Sequence, residues 1–185
     1  MRKGRLFIIS GASGVGKSTV LKQVIARQPA LQFSVSATTR PPRPGEQEGV
    51  TYYYVSRETF QGMIQRNEFV EHNDHMGNLY GTPKSQLDEK LEKGDVLLDI
   101  EPNGAFNVKS QCPEAVLIFI APPSMAELEY RLRSRGDTPE DQIVMRLARA
   151  NWEMQQTHRY NYVVVNDTVE NCADQILKII AQEAE

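Results

Sequence analysis

The segment Gly11-Ala12-Ser13-Gly14-Val15-Gly16-Lys17-Ser18 packs three glycines, a lysine and a terminal hydroxyl into eight residues. It matches the Gly-x-x-x-x-Gly-Lys-[Ser/Thr] pattern, lies directly after the apolar run Leu6 to Ile9, and precedes a helical period. Glycines let the backbone curl until successive N–H groups converge on phosphate oxygens, and the following helix N-terminus adds partial positive charge. Lys17 can then reach the β- and γ-phosphates, and the Ser18 hydroxyl can ligate Mg²⁺. The segment therefore specifies a nucleoside triphosphate site. By itself it does not separate a nucleotide kinase from a GTPase, an ATPase or another phosphate-loop protein.

A second group of residues speaks to an acceptor. Arg40 and Arg43 stand three apart in a stretch stiffened by Pro41, Pro42 and Pro44. Each guanidinium can make forked hydrogen bonds to a phosphate. The segment also satisfies Pro-x-x-Pro, but a Pro-rich linker seldom lies between two strand-like runs of one domain. Tyr52 and Tyr80 could add phenolic donors, or could be half-buried packing residues. Glu71 reads alone as a surface carboxylate. Set in a pocket, it offers acceptors for the N1–H and 2-amino group of guanine, a match adenine lacks. His72 and His75 form a His-x-x-His pair, but they lie in a predicted loop without a supporting ligand constellation. His158 reads as a surface residue near a helix end.

These side chains need a scaffold, and the apolar pattern supplies one. Leu6 to Ile9, Val96 to Ile100, Ala115 to Ile120 and Tyr162 to Val165 are β-type runs, apolar on both faces like central strands of a covered parallel sheet. Between them, helical faces are marked by Val20, Leu21, Val24 and Ile25, by Phe60, Met63 and Ile64, and by Ile176, Ile179 and Ile180. Ser56 is a predicted N-cap. Thr138-Pro139-Glu140-Asp141 resembles a capped helix start with proline in the first turn. Strands alternating with helices predict an open α/β sheet. The stretch from about 32 to 81 is β-rich, turn-rich and aromatic, and reads as an insertion beside that sheet.

With 185 residues, 40% apolar and 24% charged, the chain fits one globular domain. A net charge of −3 argues against a polyanion-coating protein, so no nucleic-acid partner is expected and any phosphate chemistry rests on locally placed cations. Cys112 and Cys172 are the only cysteines, far apart, which suits a reducing compartment. The N-terminal apolar run is too short for a signal peptide, and no run approaches the roughly 20 residues of a membrane span. The expected location is the cytoplasm.

In order along the chain stand the phosphate loop, Ser34-Val35-Ser36-Ala37-Thr38-Thr39-Arg40-Pro41-Pro42-Arg43-Pro44-Gly45-Glu46, Tyr52 to Val55, Asn67-Glu68-Phe69-Val70-Glu71, Gly77-Asn78-Leu79-Tyr80-Gly81-Thr82, Leu98-Asp99-Ile100-Glu101, Ile120-Ala121-Pro122-Pro123-Ser124, Arg133-Ser134-Arg135-Gly136 and Val165-Asn166-Asp167. Over nearly its whole length the chain thus resembles the guanylate kinases, most specifically in Thr-Thr-Arg-x-x-Arg-x-Gly-Glu. The resemblance implies a P-loop nucleoside monophosphate kinase fold, with a core at about 1–31, 83–123 and 147–185. A small β-rich GMP-binding region at about 32–82 and a helical lid at about 124–146 complete it. It implies reversible, Mg²⁺-dependent transfer of the ATP γ-phosphoryl group to GMP by a monomer or homodimer.

Residue roles follow from the same resemblance. Gly11 to Ser18, Thr19 and Asn166 bind ATP, with Asn166 near adenine. Arg40, Arg43, Tyr52 and Tyr80 hold the GMP phosphate; Ser36, Glu71 and Thr82 read guanine, with Asp99 and Glu101 nearby. Ser18, and Asp99 through water, serve the metal. Lys17, Arg40 and the lid arginines Arg131, Arg135 and Arg146 neutralise charge during transfer. The sequence departs from the commonest pattern at Glu101, where many members carry aspartate, and at Pro102-Asn103, where an aromatic or aliphatic residue and then glutamine are usual. A sugar-phosphate kinase needs the phosphate loop but not Ser36, Glu71 and Thr82. A non-catalytic protein-binding module of this type typically lacks an intact loop, and here Lys17 and Ser18 are in place.

Overall fold

The computed structural model describes residues 4–75, 77–134, 136 and 138–184. Strand β1 (Leu6–Gly11) runs into the glycine loop and helix α1 (Lys17–Arg27), and β2 (Gln32–Ser34) follows. The chain then leaves the main sheet through β3 (Ala37–Thr38), β4 (Tyr53–Tyr54), α2 (Arg57–Gln65), β5 (Phe69–His75) and β6 (Asn78–Pro83). It returns by α3 (Lys84–Lys93) to β7 (Val96–Asp99), α4 (Pro102–Gln111) and β8 (Val116–Ala121). Helices α5 (Met125–Ser134) and α6 (Glu140–Gln155), strand β9 (Tyr162–Val165) and α7 (Val169–Glu183) complete it.

Five parallel strands form the core sheet in the order β2-β7-β1-β8-β9. Phe7, Ile8, Ile9, Leu97, Leu98, Leu117, Ile118 and Phe119 are fully buried within it, so the continuous apolar runs belong to strands covered on both faces. The run at 162–165 departs from that expectation. It is the edge strand β9, and Val163 and Val165 remain 48% and 41% exposed. Composition alone does not distinguish an edge from a centre when the covering helix reaches only part of the strand.

The smaller sheet has the order β4-β3-β6-β5 and its own apolar cluster of Ala37, Phe60 and Phe69, with Phe60 and Phe69 stacked at 4.4 Å between centroids. The histidine segment expected to be a loop lies instead in β5. The Gly77 N–H donates to Asp74 Oδ1, and Gly77 adopts φ 79°, so the turn falls after His75 and the strand extends through it. Ser56 caps α2 as expected, accepting from the Thr59 N–H. At α6 the proline itself occupies the cap position (φ −57°, ψ 149°) and makes no side-chain cap bond. Helix α6 therefore starts one residue later than Thr138-Pro139 implies. Arg133 Nη2 donates to Glu140 Oε1 at 2.8 Å, which ties the end of α5 to that start. Among the described residues, no helix is long and apolar enough to cross a membrane.

Candidate active site

The carboxyl ends of β1 and β7 open onto a crevice, as in other open α/β sheets. At β1 the glycine loop turns through Gly14 (φ 85°) and Gly16 (φ 92°), and Gly16 stands as the N-cap of α1. No side chain caps this helix, which leaves its first turn to face an anion. A Cβ on Gly14 would come within 2.7 Å of Leu132, because α5 packs directly on the loop. Asn166, buried at the end of β9, donates from Nδ2 to the Val15 carbonyl at 2.8 Å. It thereby anchors the loop from below.

Residues 11–19, with Ile100, Glu101, Arg149 and Glu153, enclose a cavity of about 370 Å³. Lys17 Nζ bonds Asp99 Oδ1, which lies outside this lining. Burial pushes the Lys17 ammonium down to about 8, against the opposing pull of Glu101 and Glu153. Arg149 and Glu153 are absent from the sequence-derived set, yet they shape this wall. Arg149 Nη2 lies 2.6 Å from Glu101 and its Nε 3.0 Å from Glu153, while Glu153 Oε2 accepts from the Ser13 N–H at 2.7 Å. Their spacing of four on one helix marks an i,i+4 ion pair, but nothing local in the sequence says that this pair faces the loop. Arg146 lies one turn earlier on α6 and is half-buried. Arg131 donates to the Asn166 carbonyl at 2.9 Å and to Glu127. Arg135 lies outside the described residues.

A second cavity of about 940 Å³ lies between the two sheets. Lys17, Ser18, Ile100 and Glu101 line both cavities, so the two spaces meet at the tip of the lysine. Arg40, Arg43, Tyr52 and Tyr80 line the larger space. Arg40 Nη2 donates to both Glu46 oxygens at 2.8 and 2.9 Å, and its guanidinium lies 5.5 Å from the centre of the Tyr52 ring. Tyr52 in turn meets Tyr80 edge-on at 5.9 Å. The Arg40 bond holds the Glu46 carboxyl down at about 2, with help from the Arg43 N–H and the Tyr54 hydroxyl. Glu46 thus fixes a side chain assigned to phosphate. It sits inside the motif quoted above, but only the fold shows what it bonds.

Strands β5 and β6 pair in antiparallel register and set Glu71 opposite Thr82 and Asn73 opposite Tyr80. Glu71 is 5% exposed. Its Oε1 accepts from the Thr82 hydroxyl at 2.8 Å, whereas its buried Oε2 has no partner among the described residues. Burial raises this carboxyl to about 7, the Thr82 bond partly offsetting it. Ser36, at the start of the inserted sheet, lines the larger space. Gly104 of α4 makes room for the carboxylate: a Cβ there would stand 2.7 Å from Oε2. A glycine that close to a pocket side chain has no signature in sequence, since its neighbour is 33 positions away.

The comparisons with known proteins agree with this geometry. The family model described as guanylate kinase matches residues 3–183. A guanylate kinase of Thermus thermophilus is 48% identical over 182 residues, covering 98% of this chain and 82% of the relative. One from Synechococcus sp. is 49% identical over 175 residues, covering 94% and 81%. The crystal structure of guanylate kinase from Anaplasma phagocytophilum superposes with a TM-score of 0.81 at 34% identity, covering 100% of this chain and 88% of that one. The chain belongs to the guanylate kinase family.

Proposed function

We propose that the protein catalyses reversible transfer of the γ-phosphoryl group of ATP to GMP, giving ADP and GDP, in the cytoplasm. The observation that carries this reading is the junction of the two cavities at Lys17, Ser18 and Glu101. A triphosphate seated on the glycine loop and a monophosphate seated on Arg40 and Arg43 would present their reacting ends to each other there.

The GMP phosphate is already an adequate nucleophile, so the reaction needs position and charge neutralisation rather than a general base. Arg40, prealigned by Glu46, fixes the acceptor phosphate together with Arg43, Tyr52 and Tyr80. Lys17 leaves Asp99 for the β- and γ-phosphates, and Asp99 becomes free to orient a water or a cation. Arg149 borders the donor cavity as a further cation, held by Glu101 and Glu153. Arg131, Arg135 and Arg146 act from the helical lid at about 124–146, which closes and excludes water.

Among the described residues, no cluster of three or more acidic, histidine or cysteine side chains forms a protein cage for a metal. Ser18 and Asp99, a hydroxyl and a carboxylate that line the same cavity, fit Mg²⁺, which keeps most of its waters and borrows phosphate oxygens. Ser18 would supply its protein hydroxyl, with Asp99 acting through water. When bound, the ion neutralises charge on the transferring phosphoryl group.

Guanine is read by Glu71, Thr82 and Ser36. The unpartnered Glu71 Oε2 is the acceptor that the purine N1–H and 2-amino group supply with donors, and its burial supports base reading rather than a surface role. A sugar phosphate offers hydroxyl donors but not this adjacent pair of N–H groups. The test is a coupled ADP-release assay with ATP and Mg²⁺ against GMP, dGMP, AMP, UMP and ribose 1,5-bisphosphate. GMP is expected to be the preferred acceptor over AMP and UMP. Turnover of the sugar without turnover of GMP would overturn the function and leave the fold standing.

A further inference from the structure

Helix α6 carries Arg149 and Glu153 to the wall of the donor cavity. Four residues apart, they share one face of the helix, and Arg149 Nε stands 3.0 Å from Glu153 Oε1. Arg149 Nη2 stands 2.6 Å from Oε2 of Glu101, the N-cap residue of α4. One guanidinium is thus shared between two carboxylates that line the same cavity. Glu153 is buried and carries the connection further, since its Oε2 accepts from the Ser13 N–H inside the phosphate loop. Burial raises the Glu153 carboxyl, and the Arg149 bond and the Ser13 N–H oppose that rise. An exposed i,i+4 pair contributes little, but this one has a buried member and ends on the loop.

Two carboxylates on the wall of a cavity built from a phosphate loop would repel a polyphosphate. A single cation that pairs with both removes that conflict, and the planar fork of arginine suits two acceptors at once. From this we infer that Arg149 is a positioning residue of the donor site. It cancels the charge of Glu101 and Glu153 beside the triphosphate and keeps Glu153 on the Ser13 N–H, so that the loop holds its shape. Arg149 acts through these carboxylates and not by contact with a phosphate. The inference rests on the reading of residues 11–19 as the triphosphate seat, and it gives α6 a part in that seat.

The experiment is calorimetric binding of ATP with Mg²⁺, without acceptor, to the parent and to three variants, with GMP binding measured alongside. Arg149→Met unpairs both carboxylates and should raise the Kd for ATP roughly tenfold, against less than about threefold for GMP. Adding Glu153→Gln to Arg149→Met removes one unpaired charge, while the amide oxygen can still accept from the Ser13 N–H. The double variant should therefore bind ATP about threefold more tightly than Arg149→Met. Arg149→Lys keeps the charge and should stay within about threefold of the parent. A double variant no tighter than Arg149→Met overturns the inference, because neither a direct phosphate contact nor simple packing is restored by losing Glu153. An unchanged Kd for ATP in Arg149→Met, or equal losses for ATP and GMP, overturns it as well. Should Arg149→Met not fold, the other two variants carry the test, and a double variant more than about tenfold weaker than the parent for ATP overturns the inference. In each of these cases the donor-site reading survives. A parent that does not bind ATP sinks that reading, and this inference with it.

Discussion

The Thr82 hydroxyl donates to Glu71 Oε1 at 2.8 Å across the β5–β6 ladder and leaves Oε2 buried with no partner among the described residues. One oxygen is thereby fixed and the other left without a bond. The cost of holding this group in the free protein is visible in its titration, since burial raises the carboxyl from 4.5 to about 7.

A carboxyl raised on folding favours its protonated form in the native state. Its destabilising effect therefore begins as pH rises above 4.5, where the unfolded chain ionises, and is complete above about 7. Glu71→Gln is expected to stabilise the ligand-free protein by about 1–3 kcal/mol at pH 8 and by little at pH 4, as read by urea denaturation.

The same titration governs acceptor binding. Only the carboxylate accepts from both guanine donors, so kcat/KM for GMP should fall by up to about tenfold per pH unit below 7. Glu71→Gln should lose this limb and discriminate poorly between GMP and AMP. Taking the ratio of the two enzymes at each pH cancels the titration of the nucleotide phosphate. A flat ratio from pH 5.5 to 8 would contradict the assignment.

Lys17 stands where both cavities meet, and its charge is proposed to act on the transferring group rather than on the base. Lys17→Ala should lower kcat by at least about 10²-fold. The Kd for GMP, measured calorimetrically, should change by less than about threefold, because Arg40 and Arg43 remain to hold its phosphate.

Glu46 is expected to matter through Arg40. Glu46→Ala removes the carboxylate that holds the guanidinium, and KM for GMP should rise roughly tenfold, with a smaller effect on KM for ATP. Glu46→Gln keeps one acceptor oxygen and should recover part of the loss. Equal rises in the two KM values would argue for a general structural role instead.

Gly104→Ala adds a methyl group 2.7 Å from Glu71 Oε2. The helix itself favours alanine, so the protein should fold with its Tm shifted by only a few degrees. Acceptor affinity should nevertheless drop about tenfold or more as the carboxylate is displaced. Unchanged KM for GMP would show that the pocket yields at this point.

Much of this protein is written locally. The phosphate loop carries its own geometry, because glycine at positive φ and an uncapped helix start act within eight residues. The continuous apolar runs specify buried parallel strands for the same reason, since each strand's burial is a property of its own side chains. Arg40 and Arg43 likewise stand out by their spacing and their prolines. Tertiary structure decided the rest. Whether Glu71 was a surface carboxylate or lay inside a pocket depended on its burial beneath α4 and its bond to Thr82 across a hairpin. The same holds for Glu153, which reaches Ser13 from 140 positions away, and for Gly104, whose missing side chain matters only because Glu71 lies against it. β9 gave the reverse case, a core-like run left at the sheet edge. A residue's type fixes what it can donate, accept or bury, but only long-range packing fixes what stands beside it, and an electrostatic site is made of such neighbours.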